Sequence, residues 1–589
     1  MIMIKRSMMI LLLALPFLIN AQSYVELKDS KPFDNKEVWQ NSFKGEYQFK
    51  WGNTDTRYPK LSVPNKVGME NNDGNATAIK LIAWQGERVN AQAVLSTKVD
   101  LSGVSFSVSD LKSGSSTISS SAIKIQPVSY VMTDELSKDG TTGCGHRPDP
   151  TVFDSTLVAD VLNNEYQNLE IEAFTTKPVW LTMHVPTNIK AGKYNGTLTA
   201  NVNGKASNLK IEITVKNRQI ANAANWNFHL DLWQNPYAVA RYYDVELWSQ
   251  EHFELMKPLM KMLANAGQKI VTTTIMHKPW AGQTEDAFSS MVSKIKHIDG
   301  TWEYRYDAFD KWVTFMMDEV GINEQINCYT MIPWAMSFDY FDMASNSIKF
   351  IEAKTDSKEF EQYWLPFLAD FAKHLKAKGW FEKATIAMDE RAMKDMQNTI
   401  AIIKRADSNF KVSLAGNYHS EIEADIYDYC IAFGQEFPKA VKERRDSENK
   451  ISTVYTCCAE PFPNTFTFSS PAEATWIGWH SIAGNYDGYL RWAYNSWTKN
   501  PLQDSRFRTW AGGDTYIVYP DGRSSIRFER LIEGIQDYEK ISILRKEFTN
   551  NPSKLQKLED MISTFKLDTK GDISTEQQVI NARKLLNSF

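Results

Sequence analysis

The sequence has few cysteines and no excess of positive charge. Only five of its 589 residues are cysteine, too few and too scattered for a disulfide framework even in an oxidising compartment. Lysine and arginine together number 66 against 71 aspartates and glutamates, a formal net charge of −5. A chain without a basic field has no general attraction for nucleic acid or anionic membranes. We therefore expect no nucleic-acid partner.

Several motifs that carry chemistry are also missing. The sequence contains no P-loop, no glycine-rich dinucleotide fingerprint, no G-x-S-x-G elbow and no H-E-x-x-H helix. Cys144 and His146 offer two potential ligands in one short loop, which falls short of a zinc site. The pair Cys457 and Cys458 ends an apolar run, and this position favours buried small side chains over redox groups. The sequence thus predicts neither a metal nor an organic cofactor.

The N-terminal segment has the layout of an export signal. Positive charges precede an apolar stretch from Met8 to Ile19, and Ala21 follows it closely. This order is typical of a signal peptide, and we expect cleavage near Ala21. No later stretch of about 20 uninterrupted apolar residues is present that could anchor the chain in a bilayer. The sequence therefore predicts an exported protein, periplasmic or secreted, without a transmembrane anchor.

What the sequence does have is aromatic side chains, with 18 tryptophans and 24 tyrosines. Their rings stack on flat apolar faces and keep one polar group, and sugars present such faces. Large cores that are simply rich in aromatics are the alternative explanation. The composition favours a globular protein with several domains.

The first part of the mature chain, residues 22–220, reads as a β-sandwich. Short alternating runs such as 91–99 and 209–215 are separated by Gly, Asn, Ser and Asp clusters. Residues 178–186 and 192–197 predict two strands joined by a polar connection. The polar segment 216–225 is the predicted linker to the next domain.

From residue 221 to 549 the pattern changes to alternating strands and helices, which favours parallel βα units. About eight units over this length predict a (β/α)8 TIM-type barrel, whose active site would lie at the C-terminal ends of the strands. A doubly wound open sheet is the alternative. Residues 550–589 are a predicted helical tail. The strand candidates are 226–232, 269–275, 326–332, 384–388, 411–415, 427–433, 452–457 and 488–494, and helix candidates include 252–266, 306–320, 359–378, 391–406 and 525–546.

Two acids, Asp389 and Glu390, stand at the end of the fourth predicted strand. Paired carboxylates serve glycoside hydrolysis, because one group protonates the departing oxygen while another stabilises or attacks the sugar carbon. Acids that are adjacent in sequence suggest a variant in which the substrate's own 2-acetamido oxygen attacks that carbon. Asp389 would then orient the acetamido group, and Glu390 would act as acid and then as base. An Asp-Glu pair that merely starts a helix is the alternative.

These residues and two later segments resemble glycoside hydrolase family 123. The resemblance lies in Asp389-Glu390, in 477–479 with 487–497, in 525–538, and in Trp180 with 185–186 upstream. It covers most of the mature chain. It implies an exo-acting β-N-acetylgalactosaminidase whose Asp-Glu pair has the roles described above. The implied substrate is a glycan or glycolipid with a terminal β-N-acetylhexosamine.

A sugar pocket needs an aromatic platform and polar groups, and other predicted strand ends supply both. Each of these residues has an alternative role in the core or in capping a loop. The candidates for substrate binding are Trp233, Asn235, His277, Asn417, His419, Tyr455, Asn464, Trp492, Asn495 and Trp497. Trp476 and Trp479 lie three apart on a predicted helix, so at least one of them is expected in the core. Arg491, inside an apolar strand, requires a buried acidic partner.

Two other functions remain open from the sequence. One keeps the barrel but uses an enzyme nucleophile, so that its substrate would lack the acetamido group. The other is a non-catalytic carbohydrate-binding surface protein. The leading prediction is the hydrolase that uses its substrate's acetamido group.

Overall fold

The computed structural model describes residue 27 and residues 34–64, 77–134, 156–508 and 510–589. The predicted signal peptide, Cys144 and His146 lie outside the described residues. Within them the chain folds as an N-terminal pair of β-sheets, a parallel barrel, and helices that close the barrel from outside.

The N-terminal sheets share one apolar core, as the alternating sequence pattern predicts. The first sheet has the strand order β1-β3-β10-β7-β8, and the second runs β2-β12-β11-β4-β9 with β5 and β6 beside β11. Helix α1 (Lys36–Ser42) precedes strands β1 (Tyr47–Trp51), β2 (Ala78–Gln85), β3 (Arg88–Thr97), β4 (Leu101–Val108), β5 (Leu111–Ser113), β6 (Ser116–Ile118), β7 (Ile123–Thr133), β8 (Thr156–Leu162), β9 (Leu169–Ile171), β10 (Thr175–His184), β11 (Gly192–Val202) and β12 (Lys205–Gln219).

One prediction for this region is confirmed, and one boundary differs from the sequence prediction. The strands predicted at 178–186 and 192–197 lie in β10 and β11, which belong to different sheets, so their polar connection passes from one sheet to the other. The predicted linker at 216–225 begins inside β12, which continues to Gln219. Strand β12 is extended because its residues pair with β11 on one side and with β2 on the other.

The following strands are β13 (His229–Leu232), β14 (Ile270–Thr274), β15 (Ser293–Lys296), β16 (Trp302–Arg305), β17 (Gln325–Tyr329), β18 (Ser337–Asp342), β19 (Ser347–Glu352), β20 (Ala384–Asp389), β21 (Lys411–Gly416), β22 (Asp428–Ala432), β23 (Ile451–Tyr455) and β24 (Gly488–Arg491). The helices are α2 (Pro236–Tyr243), α3 (Gln250–Ala264), α4 (Asp307–Thr314), α5 (Lys358–Lys378), α6 (Met393–Ala406), α7 (Lys439–Ser447), α8 (Pro471–Ala483), α9 (Ile526–Glu547), α10 (Pro552–Ile562) and α11 (Thr575–Leu586).

Eight of these strands form one parallel sheet that is nearly closed into a barrel. Its order is β13-β24-β23-β22-β21-β20-β17-β14, and β13 and β14 approach each other to complete the ring. At this seam Lys269 N donates to Leu230 O over 3.0 Å, and the Gln268 side chain accepts from Leu232 N at 2.9 Å. The (β/α)8-like architecture is thus confirmed and the doubly wound alternative is wrong, because the first strand lies beside both the second and the last.

The loops after β14 and β17 contain a small sheet that the sequence pattern did not predict. Its order is β16-β15-β18-β19. One face packs on α5, where Lys294 Nζ lies 4.8 Å from the centre of the Phe367 ring. The predicted helix at 306–320 is α4 followed by a wider π-helical segment, Phe315–Val320.

Helix α9 joins the two parts of the molecule. The sequence of this helix is rich in charge, and yet most of its residues are buried, because its charged side chains pair with the N-terminal sheets. The pairs are Arg527 with Asp160 at 2.9 Å, Arg530 with Asp55 at 2.7 Å and Lys540 with Glu87 at 2.5 Å. The segment 525–538 is therefore a domain contact as well as the last helix of the barrel.

The C-terminal helices α10 and α11 pack on α8 and α9. Trp476 and Trp479 of α8 are both buried in this contact, in agreement with the sequence prediction. Trp476 Nε1 donates to Gln578 of α11 at 3.0 Å. The C-terminal segment thus covers the outside of the barrel and also reaches the loops after β22 and β23, where Lys566 pairs with Glu436 at 3.3 Å and Lys570 Nζ lies 4.6 Å from the centre of the Phe462 ring.

Candidate active site

The acidic pair lies at the C-terminal end of β20, where barrel enzymes place their chemistry. Strand β20 ends at Asp389, and Glu390 follows at the turn. Both side chains are half-buried. Successive strand residues point in opposite directions, and accordingly the two acids meet different neighbours.

Glu390 is held from the side of β21. Asn417 N donates to its Oε2 at 3.0 Å, and Asn417 Nδ2 donates to its Oε1 at 2.6 Å. His419 Nε2 lies 3.5 Å from the same Oε1. Gly416 permits this approach, since a Cβ there would stand 2.7 Å from the Glu390 Cβ. The predicted site residues Asn417 and His419 are thus placed beside Glu390.

The orientation of Asn417 is set by residues that sequence reasoning missed. Gln435 Nε2 donates to Asn417 Oδ1, while Gln435 Oε1 accepts from Tyr418 N at 2.6 Å. Because Oδ1 already receives a donor, the NH₂ group of Asn417 must face Glu390. The Tyr429 hydroxyl donates to Asn417 O at 2.6 Å and accepts from His419 N at 2.7 Å.

Asp389 is held from the opposite side by indoles. Trp280 Nε1 donates to Asp389 Oδ2 at 2.7 Å, and the Trp334 indole donates to it as well. The Arg391 guanidinium lies over the Trp334 ring at 4.5 Å. Burial raises the pKa of Asp389 to about 6, although the Arg391 charge and both indole hydrogen bonds oppose this shift.

The predicted residue Trp233 belongs to an aromatic wall next to Asp389. Its ring stacks on Trp280 with centroids 4.9 Å apart, and Tyr329 lies 4.5 Å from Trp233 and 5.2 Å from Trp280. Trp280 and Trp334 follow β14 and β17 in the chain, so their position after predicted strands was the available signal. The sequence analysis named only His277 in the first of these loops.

His277, Tyr455 and Trp492 are half-buried at or just after their strand ends. The His277 backbone N donates to Asp339 Oδ1 at 3.1 Å, and burial lowers the pKa of its imidazole. Burial raises the pKa of Tyr455, with Glu390 among the charges that add to the shift. Trp492 Nε1 donates to Asp514 Oδ1 at 3.3 Å. Their roles as sugar contacts stay predictions.

Asn235, Asn495 and Trp497 are buried, and their side chains bind protein groups. Asn235 N donates to Asn495 Oδ1, and Asn495 Nδ2 donates to Asn235 O, both at 2.9 Å. The Asn235 side chain also accepts from Tyr237 N and Ala238 N at the start of α2. Trp497 Nε1 donates to Val518 O at 2.8 Å. These residues join the loops after β13 and β24, and contact with a sugar stays a prediction for them too.

Asn464 is buried in a similar way. Its Nδ2 donates to Cys457 O at 2.7 Å and to Glu460 O at 2.8 Å, and its Oδ1 accepts from Arg491 Nη1 at 2.6 Å. Arg491 in turn pairs with the buried Asp514 at 2.7 Å, which is the acidic partner that the sequence required. Asn464 completes the hydrogen bonding of a buried ion pair.

Cys457 and Cys458, which follow β23, differ in oxidation state. Cys457 keeps a free thiol, as do Cys328 and Cys430, whereas Cys458 is disulfide-bonded. The sequence argument for small buried side chains therefore does not apply to Cys458. Among the residues that the structure describes, no group of three or more His, Cys, Asp or Glu side chains could hold a metal ion.

A parallel barrel with an acidic pair and an aromatic wall at its strand ends has the features of a carbohydrate-active enzyme. Comparison with protein families specifies the class. Residues 233–544 match the family described as "Glycoside hydrolase 123, catalytic domain", and residues 51–202 match "Glycoside hydrolase 123 N-terminal domain". The chain belongs to glycoside hydrolase family 123.

Solved structures agree with this assignment. The chain is similar to a family 123 glycoside hydrolase from Clostridium perfringens, described in connection with glycolipid glycan hydrolysis. The TM-score is 0.81 at 28% identity, over 92% of this chain and 98% of that one. A xylanase of family 10 from termite gut has a TM-score of 0.31 at 10% identity, over 79% of this chain and 100% of that one, too low for any argument. Among curated proteins no match is found.

The chain offers no sign of a membrane-crossing helix in the residues that the structure describes. None of the helices there combines the length and the apolar character that crossing a bilayer requires.

Proposed function

We propose that this hydrolase releases terminal β-linked N-acetylgalactosamine with the help of the substrate's own acetamido group. The observation that carries the proposal is the division of the acidic pair, with Asp389 among indoles and Glu390 beside Asn417 and His419. Two adjacent acids with unlike surroundings suit two different tasks. Family membership supports the same assignment of roles, which the resemblance already implied.

The first step breaks the glycosidic bond. The acetamido carbonyl oxygen attacks the anomeric carbon and closes an oxazoline ring, while Glu390 gives its proton to the departing oxygen. The carboxylate of Asp389 accepts the acetamido N–H and stabilises the positive charge that develops on the ring. Trp280 and Trp334 hold Asp389 in place, which keeps the internal nucleophile over the carbon.

The second step restores the enzyme. Glu390, now ionised, takes a proton from water, and the oxygen of that water bonds to the anomeric carbon as the oxazoline opens. The configuration at this carbon is retained. Asn417 holds the Glu390 carboxylate in one position in both steps, since both of its N–H donors face that carboxylate.

The test compares four aryl glycosides: the N-acetyl-β-galactosaminide, the β-galactoside, and the corresponding gluco pair. We expect cleavage of the acetamido sugars only, with the galacto form preferred. Cleavage of the plain galactoside would contradict the proposal, because the nucleophile would then belong to the protein. No cleavage of any of the four would favour the carbohydrate-binding alternative.

The aglycone that we propose is a lipid. The Clostridium perfringens relative, described for glycolipid glycan hydrolysis, supports this choice. So does an apolar row across the small sheet, where the half-buried Ile295 pairs with the half-buried Phe341 and Phe341 pairs with the exposed Ile348. Ile348 is 67% exposed, and Trp334, which holds Asp389, is 57% exposed. Exposed apolar side chains of this kind mark places where a partner docks.

Ile348→Ser tests this choice of aglycone. Removing one exposed isoleucine should slow hydrolysis of micellar glycolipid about three- to tenfold, in line with the transfer free energy of its side chain. Hydrolysis of the soluble aryl glycoside should not change. Ile573→Ser, at an exposed isoleucine of the C-terminal segment, is the matched control. An equal effect of both variants would contradict a lipid contact at the small sheet.

Export remains part of the proposal. The apolar N-terminal stretch supports it, and so does the disulfide-bonded Cys458, since disulfides persist in oxidising compartments.

A further inference from the structure

A long groove lies between the N-terminal sheets and the barrel. Its larger cavity, of about 840 Å³, is bounded by β4 and β7 on one side and by α3 and α9 on the other. A second cavity of about 670 Å³ adjoins it along the segment 221–226. Arg88, His184, Lys261 and Asn265 line both cavities. Neither cavity is lined by Asp389, Glu390 or the residues that hold them, so this is a separate site.

The walls carry three acids and three cations, and two further cations from outside the walls pair with two of the acids. Each acid that lines the two cavities is paired with a cation, namely Glu529 with Arg88, Asp521 with Arg523 and Glu324 with Lys269. Lys124 and Lys261 are the lining cations that form no ion pair with an acid among the described residues. Lys261 Nζ donates to the Val320 carbonyl at 3.1 Å, and Lys124 is exposed without a hydrogen-bonding or ion-pair partner among the described residues.

His184 lies next to two of these cations, Arg88 and Lys124. It projects into both cavities between Arg88 and Lys124. Burial and these two cations lower the pKa of its imidazole to about 4, so the ring is neutral at pH 7 and offers one donor and one acceptor. Because His184 is neutral, the charge available to a ligand in these walls is that of Lys124 and Lys261, neither of which forms an ion pair with an acid among the described residues.

Atoms at the junction of the two cavities also lack partners. Arg88 Nε and Glu529 Oε2 are buried without a hydrogen bond among the described residues. Such groups are costly to leave unpaired. Arg88 lines both cavities and its side chain retains 14% exposure, although the Nε atom itself is buried.

The remaining wall has the chemistry of a saccharide site. Tyr166 is 38% exposed and presents a ring on which a sugar face can lie. Hydroxyl and amide side chains line the same cavity, among them Ser107, Ser120, Gln126, Asn164, Gln167 and Asn265. The cavity volume falls in the range of ligand sites, which occur preferentially at domain interfaces.

We propose that this groove binds an acidic oligosaccharide, one that carries carboxylate or sulfate groups, separately from the Asp389–Glu390 site. The anionic groups lie against Lys124 and Lys261, and the sugar faces lie on Tyr166. The two adjoining cavities accommodate several sugar units in a row. Such a site holds the enzyme on an acidic glycan while the barrel acts on a sugar terminus.

The experiment is calorimetric titration of the full mature chain carrying Glu390→Gln, which prevents turnover of the probe. The probes are a chondroitin sulfate hexasaccharide and neutral chitohexaose. We expect the sulfated probe alone to bind, with affinity that falls as salt is raised. Excess free N-acetylgalactosamine should not displace it, because that sugar competes only at the barrel site.

Lys124→Gln should weaken binding of the sulfated probe about five- to tenfold, since one charged contact to the anion is lost. Lys124 is exposed, so the variant is expected to fold. Lys205→Gln, at another exposed lysine of the same sheets, is the matched control and should bind as before. Equal binding of the neutral probe, displacement by N-acetylgalactosamine, an unchanged Lys124→Gln affinity, or no binding at all would each overturn the proposal.

Discussion

The polar residues after β20, β21 and β22 differ from those after β13, β23 and β24, although both groups stand at the same end of the barrel. Asn417 and Gln435 form a relay that ends on the half-buried Glu390. Asn235 and Asn464 are buried, and their amides bind other protein groups. The comparison teaches that polar residues at equivalent strand ends differ in use, since one group bonds to an acid that solvent can reach and the other connects protein loops.

The strongest test of this difference is Glu390→Gln. Loss of the acid should reduce turnover of substrates with poor leaving groups by roughly a hundred- to ten-thousand-fold, while aryl glycosides with good leaving groups are largely spared. Steady-state kinetics on both substrate types measures the effect. Equal losses on the two types would argue against an acid role for Glu390.

Substitutions of two asparagines, Asn464 and Asn417, distinguish an effect on turnover from an effect on folding stability. Asn464→Leu leaves Arg491 without its Oδ1 acceptor in the buried pair with Asp514, and we expect it to lower the free energy of unfolding by about 3 kcal/mol. Asn417→Leu, at a half-buried residue, should lower kcat more than stability. Denaturant unfolding and kinetics of each folded variant provide the two measurements. If Asn464→Leu lost turnover but kept its stability, the comparison between the two groups would fail.

The smallest expected effect is a pH-dependent change in stability at Asp389. Its folded pKa of about 6 lies above the ordinary value of 3.8, so the wild-type protein loses stability as pH rises from about 4 to 6. Asp389→Asn avoids this cost and should be more stable above pH 6, by at most about 3 kcal/mol for a shift of this size. Near pH 4 the two proteins should be alike.

Thermal unfolding at several pH values checks the Asp389 prediction, and the variant should lose activity at every pH. A stability difference that did not depend on pH would mean that the buried charge is not its cause. In the wild-type enzyme, activity should fall as pH drops through about 6, because protonation removes the charge that stabilises the oxazoline-forming step.

The sequence predicted the barrel closely because strands and helices have different periods. All eight predicted barrel strands overlap observed ones, and Asp389 ends its strand as expected. The small sheet of β15, β16, β18 and β19 was missed because its short strands lie inside connections, where no long period develops. Trp280 was missed although it stands after a predicted strand, since nothing in its neighbourhood shows that it reaches an acid 109 residues away.

By itself the sequence determined the order of the elements, the place of the acidic pair and the family, since all three are properties of local pattern and motif. Tertiary structure alone decided which polar groups lie beside the acidic pair. It paired the charges of α9 with the N-terminal sheets, as in Arg530 with Asp55 across 475 residues, and directed the Asn417 amide toward Glu390. Hydrogen bonds and ion pairs depend on distances of a few ångströms between residues far apart in the chain, and only the folded arrangement brings such atoms together.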